Sequence, residues 1–120
     1  TVAIVSGRKD PVIPPIFNQA SLERAKSRVK EVQAIVPVPV AIEPPPVSFV
    51  AGTMPLFSFF GELARETDCA ILLDMGHLVS YEIASGKKVR DVLQDLPCER
   101  VVEVHIAGGR LSLGKGVLSI

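Results

Sequence analysis

Four short runs of apolar, largely β-branched residues divide the chain: Thr1 to Ser6, Val38 to Glu43, Ala70 to Asp74 and Val101 to Ile106. They lack the alternation of a half-solvated strand, and such near-continuous runs suit strands buried on both faces of a parallel sheet. Parallel neighbours need a crossover, and the residues between the runs supply helices for it. Ser21 offers an N-cap for a first helix whose apolar face is Leu22, Ala25, Val29, Val32 and Val36. Pro55 fits the first turn of a second helix, with Leu56, Phe59, Phe60, Leu63 and Ala64 at helical period up to Thr67. His77 to Ser85 reads as a third helix stopped by Gly86, and Val89, Val92, Leu93 and Leu96 as a further helical face that Pro97 ends.

The alternation predicts an α/β fold of about four parallel βα units with right-handed connections. The proline-rich stretches Pro11 to Pro15 and Pro44 to Pro46 fall in loops at strand ends, and Leu111 to Ile120 reads as a hairpin or extended tail around a Gly-Lys-Gly turn.

Composition narrows the function classes. With 120 residues, one domain spanning 1–120 is the ceiling. Thirteen basic residues balance thirteen acidic ones, so the charge footprint of a nucleic-acid binder is absent. Although 48% of residues are apolar, no run approaches the ~20 that a spanning helix needs, so no membrane partner is expected. Two cysteines and the lack of a signal-peptide pattern give the expectation of a cytoplasmic protein. Thr1 at the start and the apolar close at Val117 to Ile120 read as cut ends, so a fragment or half of a larger fold is expected.

Polar residues interrupt the apolar runs at regular places. Glu43, Asp74 and His105 each lie 31 positions from the next, at or near the C-terminal ends of three strands. Those ends are where ligands and catalytic groups collect in parallel α/β folds. Neighbouring strands lie ~4.8 Å apart, so two carboxylates and an imidazole come within reach of one centre. That donor set suits iron, manganese or zinc. Units of similar size also produce near-equal spacing by themselves, and a polar residue often marks where a strand leaves the core.

His77, three residues past Asp74, offers another ligand from the same loop or a cap for the following helix. Glu103 shares a strand face with His105, where it either orients that ring or pairs with an internal cation. Cys69 and Cys98 precede two strands at equivalent places, hence at the opposite end of the sheet, and read as structural thiols. Gly109, Gly114 and Lys115 fall short of a phosphate loop, because Gly116 stands where Ser or Thr is needed. Neither a Gly-x-Ser-x-Gly elbow nor a Cys-x-x-Cys pair occurs, which leaves metal-assisted chemistry as the enzymatic reading.

Three motifs carry a resemblance: Ile42-Glu43-Pro44, Leu72-Leu73-Asp74-Met75-Gly76-His77, and Val101-Val102-Glu103-Val104-His105-Ile106-Ala107-Gly108-Gly109. At these residues, within a match from about Ser21 to Gly109, the sequence resembles the multinuclear non-haem iron-dependent oxidases, the family of the methanobactin-synthesis oxidase. The resemblance implies a (β/α)₈ TIM barrel of xylose-isomerase type with more than one iron ion at the strand tops. It implies oxidation, with dioxygen, of cysteine residues in a ribosomally made precursor peptide, often with a partner protein that binds the peptide leader. Carried over, Glu43 becomes a bridging carboxylate, Asp74 and His77 ligands or their close supports, and His105 a ligand.

The chain departs from the family pattern in four places. His77 replaces an Asn, Pro45 replaces a polar residue, no histidine comes from the first strand, and nothing after Gly109 supplies the later Asp and His ligands. A whole barrel needs roughly 200 residues or more, so four strands make a partial barrel that is either a fragment or a half that self-associates through its open edges. The reading is a metal-binding portion of a peptide-modifying oxidase, with Glu43, Asp74, His77 and His105 on the metal and no residue assigned as a general base. Two other readings stand beside it. One is an isomerase or endonuclease of the same barrel superfamily using zinc or manganese, and the other is a non-catalytic truncated barrel serving as a scaffold or assembly partner.

Overall fold

Each apolar run contributes a strand. The computed structural model describes residues 3–5, 16–106, 110–112 and 117–119. In chain order the elements are β1 (Ala3–Val5), α1 (Gln19–Ile35), β2 (Val40–Ile42), α2 (Leu56–Thr67), β3 (Ala70–Asp74), α3 (Met75–Ser85), α4 (Val89–Val92), β4 (Val101–His105), β5 (Arg110–Ser112) and β6 (Val117–Ser119). Strands β1 to β4 form one parallel sheet in the order β1-β2-β3-β4, which is the expected succession of βα units. Strands β5 and β6 pair antiparallel, as the hairpin reading anticipated, while its Gly-Lys-Gly turn lies outside the described residues, as does the Pro11 to Pro15 loop.

Two helix starts differ from the sequence reading. The N-cap of α1 is Asn18 rather than Ser21; the Asn18 side chain accepts the backbone N–H of Ser21 at 2.8 Å. Beginning there places Phe17 just before the cap and Leu22 one turn into the helix, the two positions of a hydrophobic staple, and both are fully buried. The third helix begins at Met75 rather than His77, because Asp74 itself caps it and accepts the N–H groups of Gly76 and His77 at 2.8 and 3.3 Å. Pro55 and Gly86 behave as expected, the first opening α2 and the second closing α3 at φ 72°.

One face of the sheet is covered by helices. Ile42, Ile71 and Leu73 join Leu22 and Val29 of α1 and the apolar residues of α2 and α3 in a single core. Eight of the twelve α2 residues are buried, since this helix is packed on both flanks. Phe59 and Phe60 meet Phe17 edge-on at 5.2 and 6.2 Å, and Phe57 meets Tyr81 of α3 at 5.0 Å. The other sheet face carries Ala41 and Leu72, also buried but apart from that core, and the residues that follow them with the same parity are polar. On β4, Val102 and Val104 are 55% and 51% exposed, so this strand presents an apolar edge that no described residue covers. Among the described residues, no helix is long and apolar enough to cross a membrane.

Candidate metal centre

Glu43 follows the last residue of β2, Asp74 is the last of β3, and His77 stands in the first turn of α3. These three bring one donor atom each within 4.8 Å of the others, at the C-terminal end of the sheet. Their side chains are 12%, 13% and 19% exposed, so the cluster is largely, though not wholly, screened from bulk water. The His77 ring lies between the carboxylates: Nδ1 is 3.4 Å from Glu43 Oε1, and Nε2 is 3.9 Å from Asp74 Oδ2. Two donors of a single ion with bonds near 2.1 Å stand at most about 4.2 Å apart, so the Asp74–His77 separation fits a shared metal without rearrangement.

Which ring nitrogen is free follows from a backbone contact. Nδ1 lies 3.0 Å from the carbonyl oxygen of Pro44, which can only accept, so Nδ1 carries the proton. In the neutral ring the lone pair is then on Nε2, which faces Asp74, the arrangement in which a metal-binding histidine is held by an outer hydrogen bond. Sequence reasoning missed this carbonyl, since a main-chain oxygen has no residue signature. It also missed Ser80, whose buried Oγ donates to the His77 carbonyl at 2.6 Å and accepts the Val47 N–H at 3.1 Å.

His105 stands apart from the three. Its Nε2 lies 2.8 Å from Glu103 Oε1, with both side chains nearly half exposed, so Glu103 contacts the imidazole and not an internal cation. Its backbone is nevertheless the register partner of Asp74. A register shift between Ile71 and Leu72 inserts Val102 as an extra residue on β4, and this turns Glu103 and His105 onto the face that carries Leu72 and Asp74. Without that bulge the His105 side chain would face the helices. Across β2 and β3, Ala41 pairs with Ala70 and Ile42 with Ile71, so continuing the register sets Glu43 beside Leu72, two residues before Asp74. The even spacing in sequence therefore does not make the three residues level; Glu43 sits one same-face step deeper than Asp74 and His105.

The cysteines are at the other end of the sheet. Cys69 is buried, accepts a hydrogen bond from Thr67 Oγ1 at 3.2 Å, and has its thiol pKa pushed up from 9.0, chiefly by burial. Cys98 is exposed. An open cavity of about 470 Å³ at that same end is lined by Gln33, Asp68, Cys69 and Arg100 among others, and takes no part in the carboxylate–imidazole cluster.

Comparison with known proteins gives a consistent family. A family model described as the RiPP precursor modification enzyme MbnB/TglH/ChrH matches residues 6–118. A UPF0276 protein of Rhizobium meliloti is 32% identical over 81% of this chain and 32% of the relative. Another from Paraburkholderia phytofirmans is 28% identical over 81% of this chain and 32% of the relative. A third, from Shewanella sediminis, is 30% identical over 86% of this chain and 37% of the relative. The chain thus spans about a third of the length of these relatives.

Proposed function

This chain belongs to the MbnB/TglH/ChrH family of RiPP precursor modification enzymes, and from that membership we propose that it forms the metal-binding part of an iron-dependent oxidase acting on cysteine residues of a ribosomally made precursor peptide. The observation that carries the reading is the convergence of Glu43, Asp74 and His77 at the C-terminal strand ends, two hard oxygen donors and one imidazole. In this proposal the four parallel strands are part of a (β/α)₈ barrel, His105 completes the donor set from β4, and Glu103 orients its ring. More than one iron is expected in the complete barrel, with zinc or manganese as the alternative metals. The partners are the precursor peptide and a leader-binding protein, and the setting is the cytoplasm; in the alternative of a self-associating half-barrel, the apolar edge of β4 is the surface for it.

When bound, iron with dioxygen supplies the oxidising chemistry. The residues of the chain supply the rest. Pro44 O holds the proton on Nδ1 of His77 and leaves Nε2 as the donor; the Asp74 carboxylate stays near that nitrogen because its other oxygen is anchored by the helix cap. Glu43 places a second negative charge beside the ring. The apolar residues beneath, Ala41 and Leu72, exclude water from below the cluster.

The test is anaerobic loading of the protein with ferrous iron, removal of unbound metal, and exposure to oxygen with a cysteine-containing peptide, read by metal analysis and mass spectrometry. Stoichiometric iron that is lost in Glu43→Ala and His105→Ala, with an oxygen-dependent mass change on the peptide, is the expected result. Iron retained in both variants would overturn the site assignment. No metal uptake at all would favour the scaffold reading, and zinc or manganese uptake without peptide oxidation would favour the isomerase or endonuclease reading.

A further inference from the structure

The segment that joins Glu43 to the rest of the fold is short of hydrogen-bond donors. Residues 44–46 are all proline, and proline has no N–H, so Val47 carries the first main-chain donor after Glu43. That donor is used on one side chain. Val47 N–H is accepted by Ser80 Oγ at 3.1 Å, and Ser80 Oγ in turn donates to the carbonyl of His77 at 2.6 Å. Val47 and Ser80 are both buried, so water does not substitute for either bond.

A helical serine often bonds back to the carbonyl three residues before it, and by itself that contact carries no function. Here the same hydroxyl has a second partner 33 residues away, on the loop that bears Glu43. The Pro44 carbonyl takes His77 Nδ1, and Ser80 takes Val47 N–H; the loop is thereby fastened to the first turns of α3 at two points on either side of Pro45 and Pro46. With φ fixed at each proline, the loop between these points has little freedom to shift. Its position sets the 3.0 Å contact that fixes the His77 tautomer and the 3.4 Å approach of Glu43 to the ring.

We propose that Ser80 is a positioning residue of the metal centre: by clamping the Glu43-to-Val47 loop onto α3, it holds the Pro44 carbonyl on His77 Nδ1 and keeps Nε2 free to bind metal. The inference rests on the metal-centre reading for its effect on affinity, but its effect on the tautomer is independent of any metal.

The experiment compares wild type, Ser80→Ala and Ser80→Thr in the full chain. In metal-free protein, nitrogen NMR of the His77 ring is expected to show the proton on Nδ1 in wild type and Ser80→Thr, and a mixture of tautomers in Ser80→Ala. Titration with Mn²⁺ followed by electron paramagnetic resonance is expected to show about tenfold weaker binding in Ser80→Ala, the scale on which outer partners of metal ligands act, with Ser80→Thr restoring the wild-type Kd. A Ser80→Ala protein with the wild-type tautomer and wild-type Mn²⁺ affinity would overturn the proposal. If wild type takes up neither Mn²⁺ nor Fe²⁺, the metal reading fails by itself and the tautomer comparison still decides the role of Ser80. Should the alanine variant fail to fold, Ser80→Cys, which keeps the volume and weakens the acceptor, is read by the same two measurements.

Discussion

Asp74 meets His77 at both of its carboxylate oxygens: Oδ1 accepts the His77 backbone N–H at 3.3 Å, and Oδ2 faces ring Nε2 at 3.9 Å. One side chain thus serves as a helix cap and as a candidate ligand, and the two roles separate by substitution. Asp74→Asn keeps the capping oxygen but removes the charge, so metal-free stability in urea is expected to stay within about 0.5 kcal/mol of wild type. Its Mn²⁺ affinity is expected to fall by more than about tenfold, since losing a ligand costs at least as much as losing a ligand's support. Asp74→Ala loses the cap as well, and is expected to be about 1 kcal/mol less stable than Asp74→Asn. Equal urea midpoints for the two variants would show that the cap contributes nothing.

The strands were legible because residues such as Ile71, Leu72 and Leu73 form a run that only a two-sided burial accommodates, and both faces of β3 are buried. Glu43, Asp74 and His77 were legible as ionisable groups where such runs end. The relative height of these residues was not, because register depends on the bulge that inserts Val102, and Val-Val-Glu-Val-His reads the same with or without it. The start of α1 was misplaced for a different reason. Ser21 and Asn18 are equally good caps taken alone, and the choice falls to the tertiary contact that buries Phe17. The clamp through Pro44 and Ser80 joins residues 33 apart in sequence, one of them through a main-chain atom, and neither has a local pattern.

Gly61 separates propensity from packing. In a helix interior alanine is favoured over glycine by about 1 kcal/mol. At this position a Cβ would lie 2.4 Å from the Asp95 carbonyl oxygen. The turn holding that carbonyl is fixed to α2, since Arg65 donates to the same oxygen at 3.1 Å and Ser58 donates to the Asp95 carboxylate at 3.3 Å. The clash is with backbone that has little room to retreat, so Gly61→Ala is expected to destabilise by about 1–3 kcal/mol in urea unfolding. A stabilised variant would mean that the turn moves away freely.

Lys26 links α1 to α2, bonding Glu23 at 3.0 Å and also Glu66. Its pKa is raised above 10.5, first by the hydrogen bond it donates to Glu66 and then by the one it donates to Glu23. The Glu23 and Glu66 carboxyls are lowered below 4.5, each chiefly by the hydrogen bond to Lys26. A lowered carboxyl contributes stability that is present above its unfolded pKa and lost as pH falls through the folded value. A raised ammonium contributes stability that is present below its unfolded pKa and lost as pH rises through the folded value. The melting temperature of Lys26→Met is therefore expected to fall furthest below wild type between about pH 5 and pH 10, with the gap closing on both sides. Added salt is expected to narrow the gap, because the carboxylates are partly exposed. A gap independent of pH would assign the effect to the packed stem of Lys26 rather than its charge.

The thiols report folding from the end of the sheet opposite the candidate metal centre. Thiolate, not thiol, reacts with disulfide reagents, so both exposure and pKa govern the rate. Cys98 is exposed, whereas Cys69 is buried with its pKa pushed upward. In native buffer one thiol is expected to react with an aromatic disulfide within minutes, and Cys98→Ser is expected to abolish that fast phase. The second thiol is expected to react only as the protein unfolds, so in a urea series its rate should track the fraction opened. Fast labelling of Cys69 in native protein would place a local opening at the start of β3, and metal loading would then be expected to leave that rate unchanged, since the candidate ligands lie at the far end of the strand.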